Sequence, residues 1–340
     1  METKEKKAWW QTLIIVVMTV ITVMGTAFLI ARTYFTVPIQ AYYNASEKAF
    51  VIPGLDDGFV PQGLHYDEGT GKFFVSGYFI DGSASPIYVV DKQSGKTEKK
   101  VLLAKENGEP FCGHSGGVAV HGEYLYLSGE NRMHLFPFEE FLTATDGESV
   151  RSVGEFLVKY SDEDFLEVSF VCAVEDGLIV GEFHDAKHYP TLDSHKYTTK
   201  NGDYHKALAL FYPYDENGAF GISAKPQTAF SLPDCVQGMA VKDGKTYLST
   251  SWGATFSKIY EYDTSALVRQ DDKTILGETL PLYAFDSASL TRTYKIAPMS
   301  EEIAFADGKL FVMCESAAQK YLFGRLAGGK WCYATDLTKF

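Results

Sequence analysis

The same short phrase returns five times along this chain: a small or polar turn, a tight apolar strand, an Asp-Gly-like hairpin, and a second strand ending in small and polar residues. The copies read PQGLHYDEGTGKFFVSGY from Pro61, SGGVAVHGEYLYLSGE from Ser115, SFVCAVEDGLIVGEF from Ser169, VQGMAVKDGKTYLSTSW from Val236 and SEEIAFADGKLFVMCES from Ser300. Their starts lie 54, 54, 67 and 64 residues apart. That period is too long for leucine-rich or ankyrin units and suits a four-stranded propeller blade with loops of its own. The chain is therefore expected to be all-β, a β-propeller of five blades, with six as the alternative count.

Further strands fill each unit. A third strand is expected at Pro86 to Asp91, Met133 to Phe138, Ala207 to Tyr214, Lys258 to Asp263 and Lys320 to Leu326, all rich in aromatic and β-branched residues. Fourth-strand ends match one another as FVIPG at Phe50, FSLPD at Phe230 and YKIAP at Tyr294. The first of these has no blade before it. Ala49 to Pro53 is thus expected to be the outer strand of the last blade, closing the ring and removing two sheet edges.

Ahead of the repeats, Trp9 to Ala31 holds no charged residue. At 1.5 Å per residue these 23 residues span a hydrocarbon core of about 30 Å. The expected order is a cytoplasmic tail over residues 1–8, a transmembrane helix over 9–31, a stalk over 32–48 and the propeller over 49–340. Lys4, Lys6 and Lys7 precede the apolar run and only Arg32 closely follows it, so the positive-inside bias places the propeller outside the cytoplasm of a single-pass cell-membrane protein. A cleaved signal peptide ending near Gly25-Thr26-Ala27 is the rival; the apolar run continues past it through Phe28, Leu29 and Ile30.

Beyond residue 32 the chain carries 27 basic against 42 acidic side chains, a net charge of −15. Nucleic acid is not an expected partner, and acidic lipid headgroups would repel such a domain. Cys112, Cys172, Cys235, Cys314 and Cys332 are odd in number and hold no C-x-x-C pair, so neither a zinc knuckle nor a disulfide scaffold is indicated. Cys112 and Cys235 fall on the same rim of the ring.

In a propeller, function resides in the central channel and the loops at its mouth. Inner strands begin at Gln62, Gly116, Phe170, Gln237 and Glu301, with Ser115 one residue before its ring position and His114 and Glu302 flanking the set. Polar groups kept there are expected to meet water or ligand. Second-strand ends, expected at the far mouth or on the blade face beneath it, carry Ser76 and Tyr78, Ser128 and Glu130, Glu182 and His184, Ser249 with Ser251 and Trp252, and Glu315 with Ser316. The ligand-binding set is accordingly Gln62, His114, Ser115, Gln237, Glu182, His184, Trp252 and Glu315. Their carboxylates, with Glu301 and Glu302, suit calcium or magnesium, whereas the bland reading has the serines packing the narrow inner blade edge.

One insertion, HDAKHYPTLDSHKYTTKNGDYHK, holds His184, His188, His195 and His205, four of the eight histidines. On a helical turn His184 and His188 would share a face, with Asp185 or Asp193 as a third zinc ligand. Pro190 favours an extended loop instead, a mobile lid with solvated histidines.

The phrases PQGLHYDEGTGKFFVSG and VQGMAVKDGKTYLSTS resemble inner-strand repeats of the gluconolactonase, paraoxonase and strictosidine-synthase-like propellers. That resemblance implies calcium-dependent hydrolysis of lactones or esters, with Glu301 or Glu302 as the carboxylate opening a blade. The departure is that only Asn131 lies near a blade's inner end and no Asp sits at the ring positions. Two readings follow. In the first, a membrane-tethered extracytoplasmic propeller binds a small molecule, glycan or protein at its channel mouth. In the second, a calcium-dependent lactonase or esterase polarises a carbonyl with a metal at Glu301 and Glu302, and a glutamate or His114 moves the proton.

Overall fold

The computed structural model describes residues 2–340, with side chains from residue 9 onward; the cationic side chains expected to mark the tail, Lys4, Lys6 and Lys7, lie outside that description. Five antiparallel sheets stand around one axis. Their inner strands are Phe59–Asp67, Val118–His121, Val168–Val174, Val236–Lys242 and Ser300–Ala306, and these touch one another in cyclic order. From the axis outward, blade 1 continues with Lys72–Phe79, Pro86–Asp91 and Thr97–Ala104, and the other four repeat this plan. Short added strands cap two outer edges. Ser149–Arg151 lies parallel to Thr97–Ala104, and Leu282–Ala284 lies parallel to Thr228–Leu232.

Ring closure joins N-terminal to C-terminal sequence as expected. The closing strand is Ser46–Val51, a few residues earlier than read, and it pairs antiparallel with Trp331–Thr335 from Ser46 against Thr335 to Val51 against Trp331. Trp331–Thr335 is also the third strand of blade 5. Lys320 to Leu326, expected in that role, instead forms tight helical turns over Phe323–Ala327. Its apolar residues mimic a strand. Yet Gly324 packs directly on Ser316 where no Cβ fits, and Gly328 takes a φ of 77°, so the segment coils before the strand begins.

Alternation along each strand sends successive side chains to opposite blade faces. Phe73 meets Phe311 of blade 5 at 4.5 Å between ring centroids, while Phe74 meets Phe141 on the blade 2 side at 5.4 Å. Repeated around the ring, this yields five buried apolar clusters, one in each interface between neighbouring blades.

One helix, Glu2–Thr36, is long and apolar enough to cross a membrane. Trp9 through Ile30 touch the propeller so little that their side chains remain exposed. Contact begins in the last turn, where Tyr34 meets Phe256 at 6.1 Å and Phe35 meets Phe323 at 5.1 Å between centroids. The stretch read as a stalk then packs onto blades 4 and 5 through buried Ile39 and Tyr42.

Candidate functional site

Because first and second strands of each blade are antiparallel, the end of the second lies beside the start of the first. Pro61 faces Gly77, Val168 faces Glu182 and Val236 faces Thr250. The second-strand ends therefore lie at the same mouth as the ring positions, not at the far one, and both residue sets converge there. Four of the five inner strands also carry an extra residue at this level, between Pro61 and Leu64, Val168 and Phe170, Val236 and Gly238, and Ser300 and Ile303. Such bulges re-aim side chains locally.

The serines of the second strands are clamps. Ser76 donates to the Gly116 carbonyl at 2.6 Å, Ser128 donates to that of Ser169 at 2.7 Å, and Ser249 and Ser300 share a hydrogen bond at 2.9 Å. Each joins one blade to the inner strand of the next. The bland reading holds for these three residues.

Glu301 and Glu302, adjacent and both buried, diverge. Glu302 Oε2 accepts from the main-chain N–H of Leu64 in blade 1 at 2.8 Å and of Val118 in blade 2 at 3.0 Å. Room for this crossing comes from Gly117 and Gly238, where an added Cβ would lie 2.6 Å from Glu302 Oε1 and 2.6 Å from Glu302 Cα. Burial raises the Glu302 carboxyl well above its ordinary range, against the pull of the two amides. Glu302 thus plugs the channel. Beyond it a cavity of about 150 Å³ is lined by His65, Val118, Cys172, Met239 and Phe305 among others. Burial pushes His65 down to about 4.

Glu301 belongs to the mouth, where it meets Glu315. Burial first, then repulsion from Glu315 and Glu302, raises Glu301 well above a normal carboxyl. Burial lifts Glu315 to about 7, held back by the Lys320 ammonium, the Gln62 amide and the Tyr321 hydroxyl. Gln62 Nε2 donates to Glu315 Oε2 at 3.0 Å, and Lys320 Nζ donates to the Tyr78 hydroxyl at 2.7 Å. The same ammonium lies 5.3 Å from the ring centroids of Tyr78 and of Tyr321. The His114 ring tilts 35° over Tyr78 with centroids 4.3 Å apart; the residue is exposed, yet desolvation of the ring and the Lys320 charge push it down to about 4. Ser115 beside it is fully buried with a hydroxyl that has no partner, and Gln237 is half-buried.

The structure thus brings together Gln62, His114, Glu301 and Glu315, and adds Tyr78, Lys320 and Tyr321. Lys320 and Tyr321 were hidden by the strand expected over their segment. A Lys beside a Tyr after a second-strand carboxylate was the available signal.

His184 lies in the neighbouring flap, residues 183–206, and Glu182, at the end of the preceding strand, and Trp252 of blade 4 pack against that flap. Glu182 is buried and accepts from the Leu208 N–H at 3.0 Å, with His195 Nδ1 2.9 Å from each of its oxygens. His184 pairs with Thr191 at 2.9 Å, His188 with Asp185 at 2.9 Å and His205 with Ser231 at 3.0 Å. The zinc alternative weighed for this loop does not form: no helical turn aligns His184 with His188, and each histidine faces a different partner. Nor are the histidines solvated. His184, His195 and His205 are buried and only His188 is exposed, so the loop is a pinned flap rather than a free lid. Trp252 stands at its edge against Phe183, His188 and Tyr189, with centroids 5.3–6.2 Å apart.

Among the described residues, no group of three or more His, Cys, Asp or Glu side chains is placed to hold a metal ion. For calcium the pair Glu301 and Glu302 is a poor fit, because they point apart and one oxygen of Glu302 is committed to two amides. All five cysteines are free, and Cys112 and Cys235 are not joined.

No known family profile and no curated protein matches this sequence. Among solved structures it is similar to a glutaminyl cyclase from Myxococcus xanthus, at 14% identity and a TM-score of 0.41 over 82% of this chain and 89% of that one. It is also similar to a GH43_1 enzyme from Xanthomonas citri, at 11% identity and a TM-score of 0.44 over 87% and 93%, and to a luciferin-regenerating enzyme, at 14% and 0.38 over 76% and 84%. The sheet order and ring closure described above carry the assignment: the chain is a five-bladed β-propeller with an N-terminal helix long and apolar enough to cross a membrane.

Proposed function

We propose that this protein is a membrane-anchored, extracytoplasmic propeller that binds a neutral, hydroxyl-rich small molecule or glycan at its channel mouth. The observation that carries the reading is the buried Glu301–Glu315 pair set beside Lys320, Tyr78 and His114. Burial raises both carboxyls, and repulsion from Glu315 raises Glu301 further, so their neutral forms are favoured over those of exposed carboxyls, and the Lys320 ammonium offsets charge that remains. Such a set offers donors and acceptors beside aromatic faces, which is what polyols require. The charge-free run Trp9 to Ala31, with lysines before it, supports anchoring with the propeller outside the cytoplasm.

A second reading, hydrolysis, is favoured by one feature. A carboxyl lifted to about 7 can give or take a proton near neutrality, and Glu315 is such a group. The lactonase likeness seen in the repeat phrases belongs with this reading.

The test is calorimetric titration of the full-length protein in detergent with a panel of neutral mono- and oligosaccharides, then with Glu315→Gln and His114→Ala. Saturable binding that both variants weaken at least tenfold is expected. A panel without binding, or binding indifferent to both substitutions, overturns the proposal.

A further inference from the structure

The end of the helix meets the propeller at the rim of the mouth. Phe256 lies in the loop joining the second and third strands of blade 4, and Phe323 in the corresponding loop of blade 5. Tyr34 and Phe35 pack against these two rings. From Ile30 to Tyr34 the helix rises about 6 Å. That is the depth of one headgroup layer, since the bilayer adds roughly 5–7 Å on each side of its hydrocarbon core.

The loops on this face also display apolar side chains. Ile80, Tyr189, Trp252 and Leu322, from blades 1, 3, 4 and 5, are each between 39% and 52% exposed. All follow second strands, and therefore all stand at the mouth. The opposite face includes the inner hairpin turns that carry Glu68, Glu123, Asp176, Asp243 and Asp307. An amphipathic Trp and Tyr with two aliphatic side chains around a helix end is the composition of an interfacial belt.

We infer that the mouth face of the propeller rests on the bilayer surface, with Ile80, Tyr189, Trp252 and Leu322 seated among the headgroups. This rests on the reading that the helix is inserted in a membrane. The channel then opens onto the lipid–water interface, and the acidic hairpin turns face away from it. The net negative charge that argues against lipid contact in the sequence is thus partly carried on the face that does not meet lipid.

The test places an environment-sensitive fluorophore on single cysteines in the full chain, reconstituted in phosphatidylcholine vesicles with or without doxyl-labelled lipid. The background carries Cys112→Ser and Cys235→Ser, since those two thiols are not fully buried. Labels go at Val20→Cys in the helix, Ile80→Cys and Leu322→Cys at the mouth, and Glu68→Cys on the far face. Strong quenching by doxyl lipid at 20, 80 and 322, with little at 68, is expected. Quenching at 20 with none at 80 and 322 overturns the facing while leaving the anchor intact. Labels at 80 and 322 shielded from both doxyl lipid and aqueous iodide point to a protein cover and also overturn it. An unquenched label at 20 overturns the anchor and this inference together.

Discussion

Glu302 Oε2 lies 3.0 Å from the main-chain nitrogen of Val118, two blades round the ring from the strand that carries it. A carboxyl at the axis thus ties inner strands that are not neighbours. Burial raises it well above the ordinary carboxyl range, which favours the neutral form.

Glu302→Gln is accordingly expected to change stability by no more than about 1 kcal/mol, because an amide oxygen can accept the same two N–H groups. Glu302→Ala should cost about 3–5 kcal/mol by leaving two buried donors unpaired and a void at the axis. Gly238→Ala, which drives a Cβ against Glu302 Cα, should cost about 1–3 kcal/mol. Denaturant melts of the three variants check the ranking, and equal costs for Gln and Ala would show that the hydrogen bonds contribute little.

The mouth carboxyls give stability a pH dependence of definite sign. Folding lifts Glu315 from 4.5 to about 7, so the folded state binds its proton more tightly than the unfolded one. Its contribution is fully present below about pH 4.5 and is lost as pH rises to about 7, at no more than roughly 1.4 kcal/mol for each pH unit crossed. Glu315→Gln is therefore expected to flatten the fall in melting temperature across that window, by several degrees at pH 7.5 relative to pH 4.5. Parallel melting curves for the two proteins at every pH would refute it.

Ring closure is testable by truncation. A chain beginning at Gly54 lacks the strand Ser46–Val51 and exposes the edge of Trp331–Thr335. Compared with one beginning at Thr33, it should melt several degrees lower and aggregate on heating. Equal melting would mean that blade 5 is stable with three strands.

Flap anchoring rests on Glu182. Glu182→Ala leaves His195 and the Leu208 N–H without their buried partner and should free residues 183–206 to limited proteolysis while the rest of the ring resists. Cleavage elsewhere first, or no gain in cleavage rate, would contradict that role.

Calcium should leave the melting temperature unchanged, because Glu301 and Glu302 do not converge on a common point. A binding ligand at a hundredfold excess over Kd would add about 2.7 kcal/mol. A rise of that size, lost in Glu301→Gln, would restore the metal-dependent reading.

Five turns of an Asp-Gly-like hairpin between alternating strands sufficed to read the propeller, its blade number and its closing strand, because strand period and turn chemistry are local properties. The apolar run of residues 9–31 was equally legible, since crossing a membrane depends on length and composition. What the sequence did not contain was which side chains meet. Strand alternation alone sends the adjacent Glu301 and Glu302 to opposite faces, but that one reaches the mouth and the other crosses the axis is set by a bulge and by the space left at Gly117 and Gly238. Lys320 and Tyr321 read as strand, but two glycines farther on coil the segment and swing both residues beside Tyr78. The spacing of His184 and His188 offered a zinc pair and the polar run around them a solvated lid, whereas the fold gives each flap histidine its own partner. These outcomes depend on packing between blades far apart in sequence, and only the closed ring decides them.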